Sequence, residues 1–356
     1  MITITNPIVD ELDSYIRYSF DIIDTTTKNI YIDVDKEFKD FVSTFSDAAL
    51  ISVLAPAMVE QKNIKIQGKI SKALFDNLSA LQDLIIKVIP WLHKIDVSAD
   101  NIIDSVYHKK NIVVTGFSGG VDAFTTLKDY HLNPKYNTQI SHLLFNNLIC
   151  NDKIANDKFN FLSNLASEVN LPIIKTRTNF HEIYAKKKIG FEQTHPIRNA
   201  VIAHLLAAKG IKFLYSSSFP LKDFEIKPWS DIAIVNKVLL PLLSTDKAEL
   251  VDVGSEYNRV EKMKIISNIK HTQNYLDICI GKKHLKSDFY NCSRCYKCMR
   301  ALVTFEKLGV LENYNKLFDL NLYQQNKSNY LKKVRRSKQL NDRDLIRFLD
   351  GEKYGS

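Results

Sequence analysis

The stretch Asn111 to Leu127, NIVVTGFSGGVDAFTTL, constrains the fold more than any other part of the chain. Ile112, Val113 and Val114 favour extended backbone, Gly119 and Gly120 permit a positive φ, and the residues from Val121 suit the first turn of a helix. A strand that breaks at glycines and re-enters a helix leaves free backbone N–H groups and the positive end of a helix dipole converging on one loop. Such a nest takes an anion, and its natural ligand is a phosphate chain. The plainer reading is an ordinary β–α turn, which uses the same glycines.

After this run, strand and helix patterns alternate. Ile140–Phe145, Ile173–Thr176 and Phe213–Ser216 read as strands, and Asp157–Val169 and His195–Lys209 as helices. The order predicts an α/β fold with a doubly wound parallel sheet, in which ligands bind at the carboxyl ends of the strands. Residues 1–105 read as a small separate α+β domain of unknown role. Its expected strands are Ser14–Ile23, Asn29–Val34 and Asn63–Gly68. A helical pattern over Phe38–Val59 is disturbed at Pro56, and a second helix is capped by Ser71 and ends before Pro90. Residues 106–310 form the expected catalytic domain, and 311–356 a basic helical C-terminal extension.

The loop is neither a Walker A site nor a Rossmann fingerprint. Gly68-Lys69 and Gly281-Lys282 lack the upstream glycine and the following Ser or Thr, and no G-x-G-x-x-G occurs. The string SGGVD in its strand-to-helix setting resembles the PP-loop of the N-type ATP pyrophosphatases. That resemblance implies a sheet of the HUP/PP-loop ATPase type and adenylation of a substrate at the α-phosphate of ATP. It carries ATP-binding roles onto Gly116, Ser118, Gly119, Gly120, Val121 and Asp122, with Asp122 as a magnesium ligand. The family more often has Ser where this chain has Ala123, which removes one hydroxyl contact.

A second string, His195-Pro196-Ile197-Arg198-Asn199, resembles the P-x-R-N element of the 7-cyano-7-deazaguanine synthase branch of that family. Pro fits a helix entry, and Arg198 offers a permanent positive charge to the triphosphate, with Asn199 beside it. The bland alternative for Arg198 is a brace at the helix start. His195 and His204 read as polar packing residues rather than as bases. Gly254, Arg259 and Lys262, in GSEYNRVEK, are weaker candidates to approach the same site.

Cys279, Cys292, Cys295 and Cys298 form a C-x12-C-x2-C-x2-C array. Four thiolates satisfy tetrahedral zinc completely and leave no open position, so the expected metal is structural; four cysteines also suit an iron–sulfur cluster. The synthase branch carries a similar array as a zinc site, with a shorter gap before the triplet. Cys150 reads as a small buried residue. Arg294, Lys297 and Arg300 make the segment basic.

With no run of about 18 apolar residues, no membrane span is expected. The start, MITITNPIVDELDS, lacks a signal-peptide pattern, so the expected location is cytoplasmic. A formal net charge of +9 suits an acidic partner. Much of it falls on Lys332, Lys333, Arg335, Arg336 and Lys338, which read as a solvated helix face without the interleaved aromatics of a stacking platform. The leading expectation is a ligase that activates a carboxylate or carbonyl oxygen by adenylation, releases pyrophosphate and admits a nitrogen nucleophile. Its acceptor would be a small-molecule or modified-base acid, an RNA or a protein terminus, and an oligomer is compatible with the sequence. The alternatives are a PP-loop sulfurtransferase and a zinc-stabilised nucleic-acid-binding protein with a degenerate ATP site.

Overall fold

The computed structural model describes residues 1–104, 111–147, 152–185, 187–280 and 289–351. Cys150 lies outside them. The strands are β1 (Ile2–Ile4), β2 (Ile8–Glu11), β3 (Tyr15–Ile23), β4 (Thr27–Asp35), β5 (Ile64–Ser71), β6 (Val97–Ile103), β7 (Ile112–Gly116), β8 (His142–Asn147), β9 (Ile173–Thr178), β10 (Ile211–Ser216) and β11 (Ala248–Val253). The helices are α1 (Asp47–Glu60), α2 (Lys72–Val88), α3 (Val121–Leu127), α4 (Asp152–Glu168), α5 (His181–Tyr184), α6 (His195–Leu205), α7 (Asn236–Leu243), α8 (Arg259–Ser267), α9 (Thr272–Tyr275), α10 (Tyr296–Lys307), α11 (Leu320–Val334) and α12 (Leu340–Leu349). No helix among the described residues is long and apolar enough to cross a membrane.

Two compact units divide the chain. The first comprises Met1–Gly116, Gln139–Tyr215 and Phe224–Val253; the second comprises Phe117–Thr138, Ser216–Asp223 and Gly254–Ser356. The first unit is built on an eleven-stranded, mostly parallel sheet of order β11-β10-β7-β8-β9-β4-β3-β1-β5-β6, with β2 paired to β3. β7 pairs in parallel with β8 on one side and β10 on the other, so the strand order reverses there. Crevices at such reversals are where open α/β sheets bind ligands.

The strands before residue 105 extend this same sheet. β4 runs antiparallel to β9, covering what would otherwise be an unpaired edge. Asp33 on β4 fixes the seam. It is buried, and it accepts from Arg17 Nε on β3 at 2.7 Å and from Arg177 Nη2 on β9 at 2.9 Å. A carboxylate taken out of water is retained at such a position because cations on both neighbouring strands compensate it.

Helix α1, DAALISVLAPAMVE, is buried nearly all round and packs on α6. A helix apolar on every side must sit inside the protein. Pro56 falls within α1, which continues to Glu60, so the disturbance expected there does not end the helix. Burial on all faces offsets the missing N–H. Ser71 stands at the N-cap position of α2 without a capping bond; its hydroxyl and N–H donate to Asp47 instead.

His204 on α6 is buried, donates from Nε2 to the Leu243 carbonyl at 2.7 Å and has Nδ1 3.8 Å from Asp47. Burial lowers its pKa below the ordinary 6.5, outweighing Asp47. A base whose folded pKa is depressed contributes stability above the unfolded pKa and loses it as pH falls through the folded value. The thermal midpoint is therefore expected to drop as pH falls below about 6.5, and His204→Gln to flatten that slope. An unchanged slope in the variant would remove His204 from the acid response.

Candidate anion site and metal centre

β7 ends at Gly116, and the chain passes through Phe117-Ser118-Gly119-Gly120 into α3. Gly119 has φ +74°, the left-handed region that a side chain disfavours, and Gly120 is the N-cap residue of α3. The Gly120 N–H donates to Ser118 Oγ at 3.3 Å, and a Cβ at Gly120 would lie 3.2 Å from that same oxygen. The positive φ makes glycine the favoured residue at 119, whereas a side chain at 120 would require the Ser118 hydroxyl to give way. Val121 and Ala123 are buried, which leaves Asp122 as the polar residue of the first turn.

Asp122 is held by two cations from α8. Arg259 Nη1 donates to Oδ2 at 3.0 Å, and Lys262 Nζ donates to Oδ1 at 2.8 Å. A reciprocal capping box fixes the start of α8. The Asn258 side chain accepts from the N–H groups of Val260 and Glu261, while Glu261 accepts from the Asn258 N–H at 2.7 Å. With the helix start pinned, residues 259 and 262 share one face. The Ser217 carbonyl accepts from Lys262 and the Ser218 carbonyl from Arg259, leaving Lys262 with only 2% of its side chain exposed. Burial pushes the Asp122 carboxyl up, but Arg259 and then Lys262 outweigh it and hold it below the usual range.

Positive charge exceeds negative in this cluster. Lys297, in the first turn of α10, has its amine pushed down by the surrounding protein and by Arg259, and Arg300 one turn later is pushed down to about 10 by burial and by Arg259. Arg300 donates to the buried Asp342 of α12 at 3.2 Å. Arg259 Nε is buried with no hydrogen-bond partner, as is Arg300 Nε. A buried guanidinium N–H without a protein partner is open to a water or an anion.

The four cysteine sulfurs lie within 4.8 Å of one another, and Cys292 Sγ is 3.9 Å from Cys298 Sγ. A tetrahedral ion with metal–sulfur bonds of about 2.3 Å requires a sulfur–sulfur separation near 3.8 Å. The Cys295 N–H donates to Cys292 Sγ at 3.2 Å. Hydrogen bonds from Cys279 and Cys298 pull the Cys295 thiol down, whereas its bond to Cys295 pushes the Cys279 thiol up to about 11. Cys279, Cys292, Cys295 and Cys298 can hold a metal ion such as zinc.

The cysteine segment also reaches the loop. Asn291, beside Cys292, is fully buried; its amide donates to the Leu276 carbonyl at 2.8 Å and its oxygen accepts from the Ile278 N–H at 3.0 Å. Between these, the Asp277 N–H donates to the Gly119 carbonyl at 2.7 Å. Residues 276–278 thus tie the ligand-bearing segment to the glycine turn.

Ser118, Gly119, Gly120, Val121, Asp122 and the cysteines all belong to the second unit, as do Arg259 and Lys262. Gly116, Arg198 and Asn199 belong to the first. There Arg198 donates from Nε to Thr194 Oγ1 at 2.8 Å and lies 3.8 Å above the Tyr184 ring, with burial lowering its pKa. Asn199 donates to the His195 carbonyl at 2.8 Å and accepts from Asn146 at 3.3 Å, and a Cβ at Gly116 would lie 3.9 Å from Asn199 Oδ1. Gly254 takes φ +74° beside the Lys262 stem. Lys332, Lys333, Arg336 and Lys338 are exposed, and Arg335 pairs with Asp350, as a solvated face requires. Sequence reasoning did not single out Asp277, Asn291 or Asp342. The N-x-x-E box at Asn258 was the available signal for the face shared by Arg259 and Lys262. No family model, curated protein or solved structure matches the chain.

Proposed function

We propose that the protein binds the phosphate chain of ATP on the Ser118–Asp122 loop and activates an oxygen of an acid substrate by adenylation. One observation carries the reading: Asp122, in the first helical turn after Gly119-Gly120, is clamped by Arg259 and Lys262 while Arg259 Nε stays unpartnered. A phosphate oxygen would supply that partner and the missing negative charge. The resemblance of SGGVD and HPIRN to the PP-loop enzymes and their deazaguanine synthase branch points to the same chemistry, on a sheet of the HUP type and in the cytoplasm.

In this reading the substrate oxygen attacks the α-phosphate, pyrophosphate leaves, and a nitrogen nucleophile displaces AMP from the activated carbonyl. Arg259, Lys262 and Lys297 stabilise the charge that gathers on pyrophosphate, and the loop N–H groups orient it. No protein nucleophile is required. Both oxygens of Asp122 already accept from cations, so magnesium on Asp122 requires Arg259 or Lys262 to release one; no step is assigned to the ion. Arg198 is proposed as a further phosphate or substrate contact, tested on its own by Arg198→Lys. The metal at the cysteines is proposed to be structural zinc.

Incubation of the full chain with ATP and small acids, including carboxylated purine-like bases, is expected to yield AMP and pyrophosphate in equal amounts. ADP and phosphate as the products, or ATP left intact with every acid class, would contradict adenylation.

A further inference from the structure

One strongly basic surface lies outside the anion site. Between Asp319 and Asp342 the sequence holds six cations, Lys327, Lys332, Lys333, Arg335, Arg336 and Lys338, and no acid. An ordinary solvated face in this protein mixes the signs: on α2, Lys72 pairs with Asp76 one turn on, and Asp83 takes Lys94. Lys332 instead has Arg335 and Arg336 three and four residues on, where like charges repel. The helix dipole favours cations in the last turn of α11, at Lys332 and Lys333. That effect falls off within the turn and does not account for Arg336 and Lys338 beyond Val334.

The surface is shaped as well as charged. An open groove of about 350 Å³ follows α11, lined by Gln324, Lys327, Ser328, Leu331, Lys332 and Arg335, a stripe at helical spacing. Acids from neighbouring helices pin the two outer cations: Lys327 Nζ lies 2.7 Å from Glu306 Oε2, and Arg335 donates to the two oxygens of Asp350 at 2.7 and 3.1 Å. Lys332, Lys333, Arg336 and Lys338 are exposed, and no ion pair holds them among the described residues. From Lys327 to Arg335 the stripe covers about 12 Å, the axial rise of three to four phosphates on one strand. The aromatic residues of α11, Tyr323 and Tyr330, are buried, as is Val334. The helix therefore offers no broad apolar face to lipid and no exposed ring to unpaired bases.

We propose that this face docks double-helical nucleic acid through its phosphate backbone, without reading sequence. Charge complementarity selects a polyanion, and the buried tyrosines exclude a single-strand stacking platform. Side chains that nearly all donate match phosphate oxygens, which only accept. Lys332, Lys333, Arg336 and Lys338 make the contacts, while Glu306 and Asp350 hold Lys327 and Arg335 as walls of the groove. All of these residues belong to the second unit, and the inference stands whether or not the glycine loop carries out adenylation. Backbone contacts position a partner and carry no sequence information, so the expected dissociation constant is about 10⁻⁶–10⁻⁴ M at physiological salt.

The test is fluorescence anisotropy of labelled DNA and RNA duplexes titrated with the full chain, with a single strand and phosphatidylserine vesicles as separate arms. Both duplexes are expected to bind. Four phosphate contacts predict a slope of about −3.6 in a log–log plot of affinity against salt, which is roughly a 100-fold loss between 50 and 200 mM. Lys332→Gln, Lys333→Gln, Arg336→Gln and Lys338→Gln are each expected to reduce that slope by about 1, and the four together to remove binding with the thermal midpoint unmoved. Lys327→Gln, whose charge Glu306 already takes, should change it less. A control carrying Lys69→Gln, Lys87→Gln, Lys94→Gln and Lys209→Gln, all exposed and all in the first unit, removes the same net charge and should retain binding. Equal weakening by the control would reduce the attraction to bulk charge and overturn the site. So would a fourfold variant that still binds, no binding of either duplex at 50 mM salt, or tighter binding to the single strand or the vesicles.

Discussion

Asp122→Asn is expected to destabilise the protein by about 3–5 kcal/mol and to abolish ATP binding. The substitution strips the countercharge from Lys262, which is 2% exposed, and an uncompensated buried ammonium carries a penalty of that order. Lys262→Met should cost less, because Asp122 keeps Arg259. The double variant should recover part of the loss seen in Asp122→Asn, giving a coupling of about 1–3 kcal/mol in a cycle read by urea unfolding. A coupling near zero would mean that the pair contributes nothing. The acid response has a defined sign. The Asp122 carboxyl is held below its ordinary 3.8, so its contribution is present above that value and is lost as pH falls further. Inorganic pyrophosphate should raise the thermal midpoint of the unaltered protein and leave that of Lys262→Met nearly unmoved.

Metal removal is the second large effect. Thiolate sites in small zinc-folded peptides contribute apparent binding energies of about 10–16 kcal/mol at neutral pH. Chelation or Cys295→Ser is expected to lower the thermal midpoint and to weaken ATP binding together, because residues 276–278 connect the buried Asn291 to the Gly119 carbonyl. Elemental analysis should find stoichiometric zinc; a visible charge-transfer band with iron would assign an iron–sulfur cluster to the same four sulfurs. A metal-free protein whose stability is untouched by Cys295→Ser would eliminate the centre. Retained ATP affinity in a chelated but folded protein would instead break the link between metal and loop.

Much of the α/β core was legible because its signals are local. β7, the glycine turn and α3 follow from residues within one short window, and the cysteine array from spacing alone. Bounds moved where the deciding contact is distant. Ser71 reads as a cap from its neighbours, but Asp47 takes its hydroxyl. Pro56 reads as a disturbance, yet α1, buried on nearly every side, continues across it to Glu60. The joining of the first strands to the main sheet was hidden for the same reason. Residues 31–34 carry no local mark of their partner, and Asp33 becomes informative only once Arg17 and Arg177 are seen on either side. In the candidate site, the loop was evident and its countercharges, Arg259 and Lys262, were only weakly marked. Arg259 and Lys262 are ordinary surface types in sequence, and only the pinned start of α8 turns both toward Asp122.

Oxygen transfer to AMP tests the central claim most directly. With an acid substrate labelled with oxygen-18 in its carboxyl group, the account predicts that one labelled oxygen appears in the phosphate of AMP and none in pyrophosphate. Unlabelled AMP, or label recovered in inorganic phosphate alongside ADP, would contradict activation at the α-phosphate.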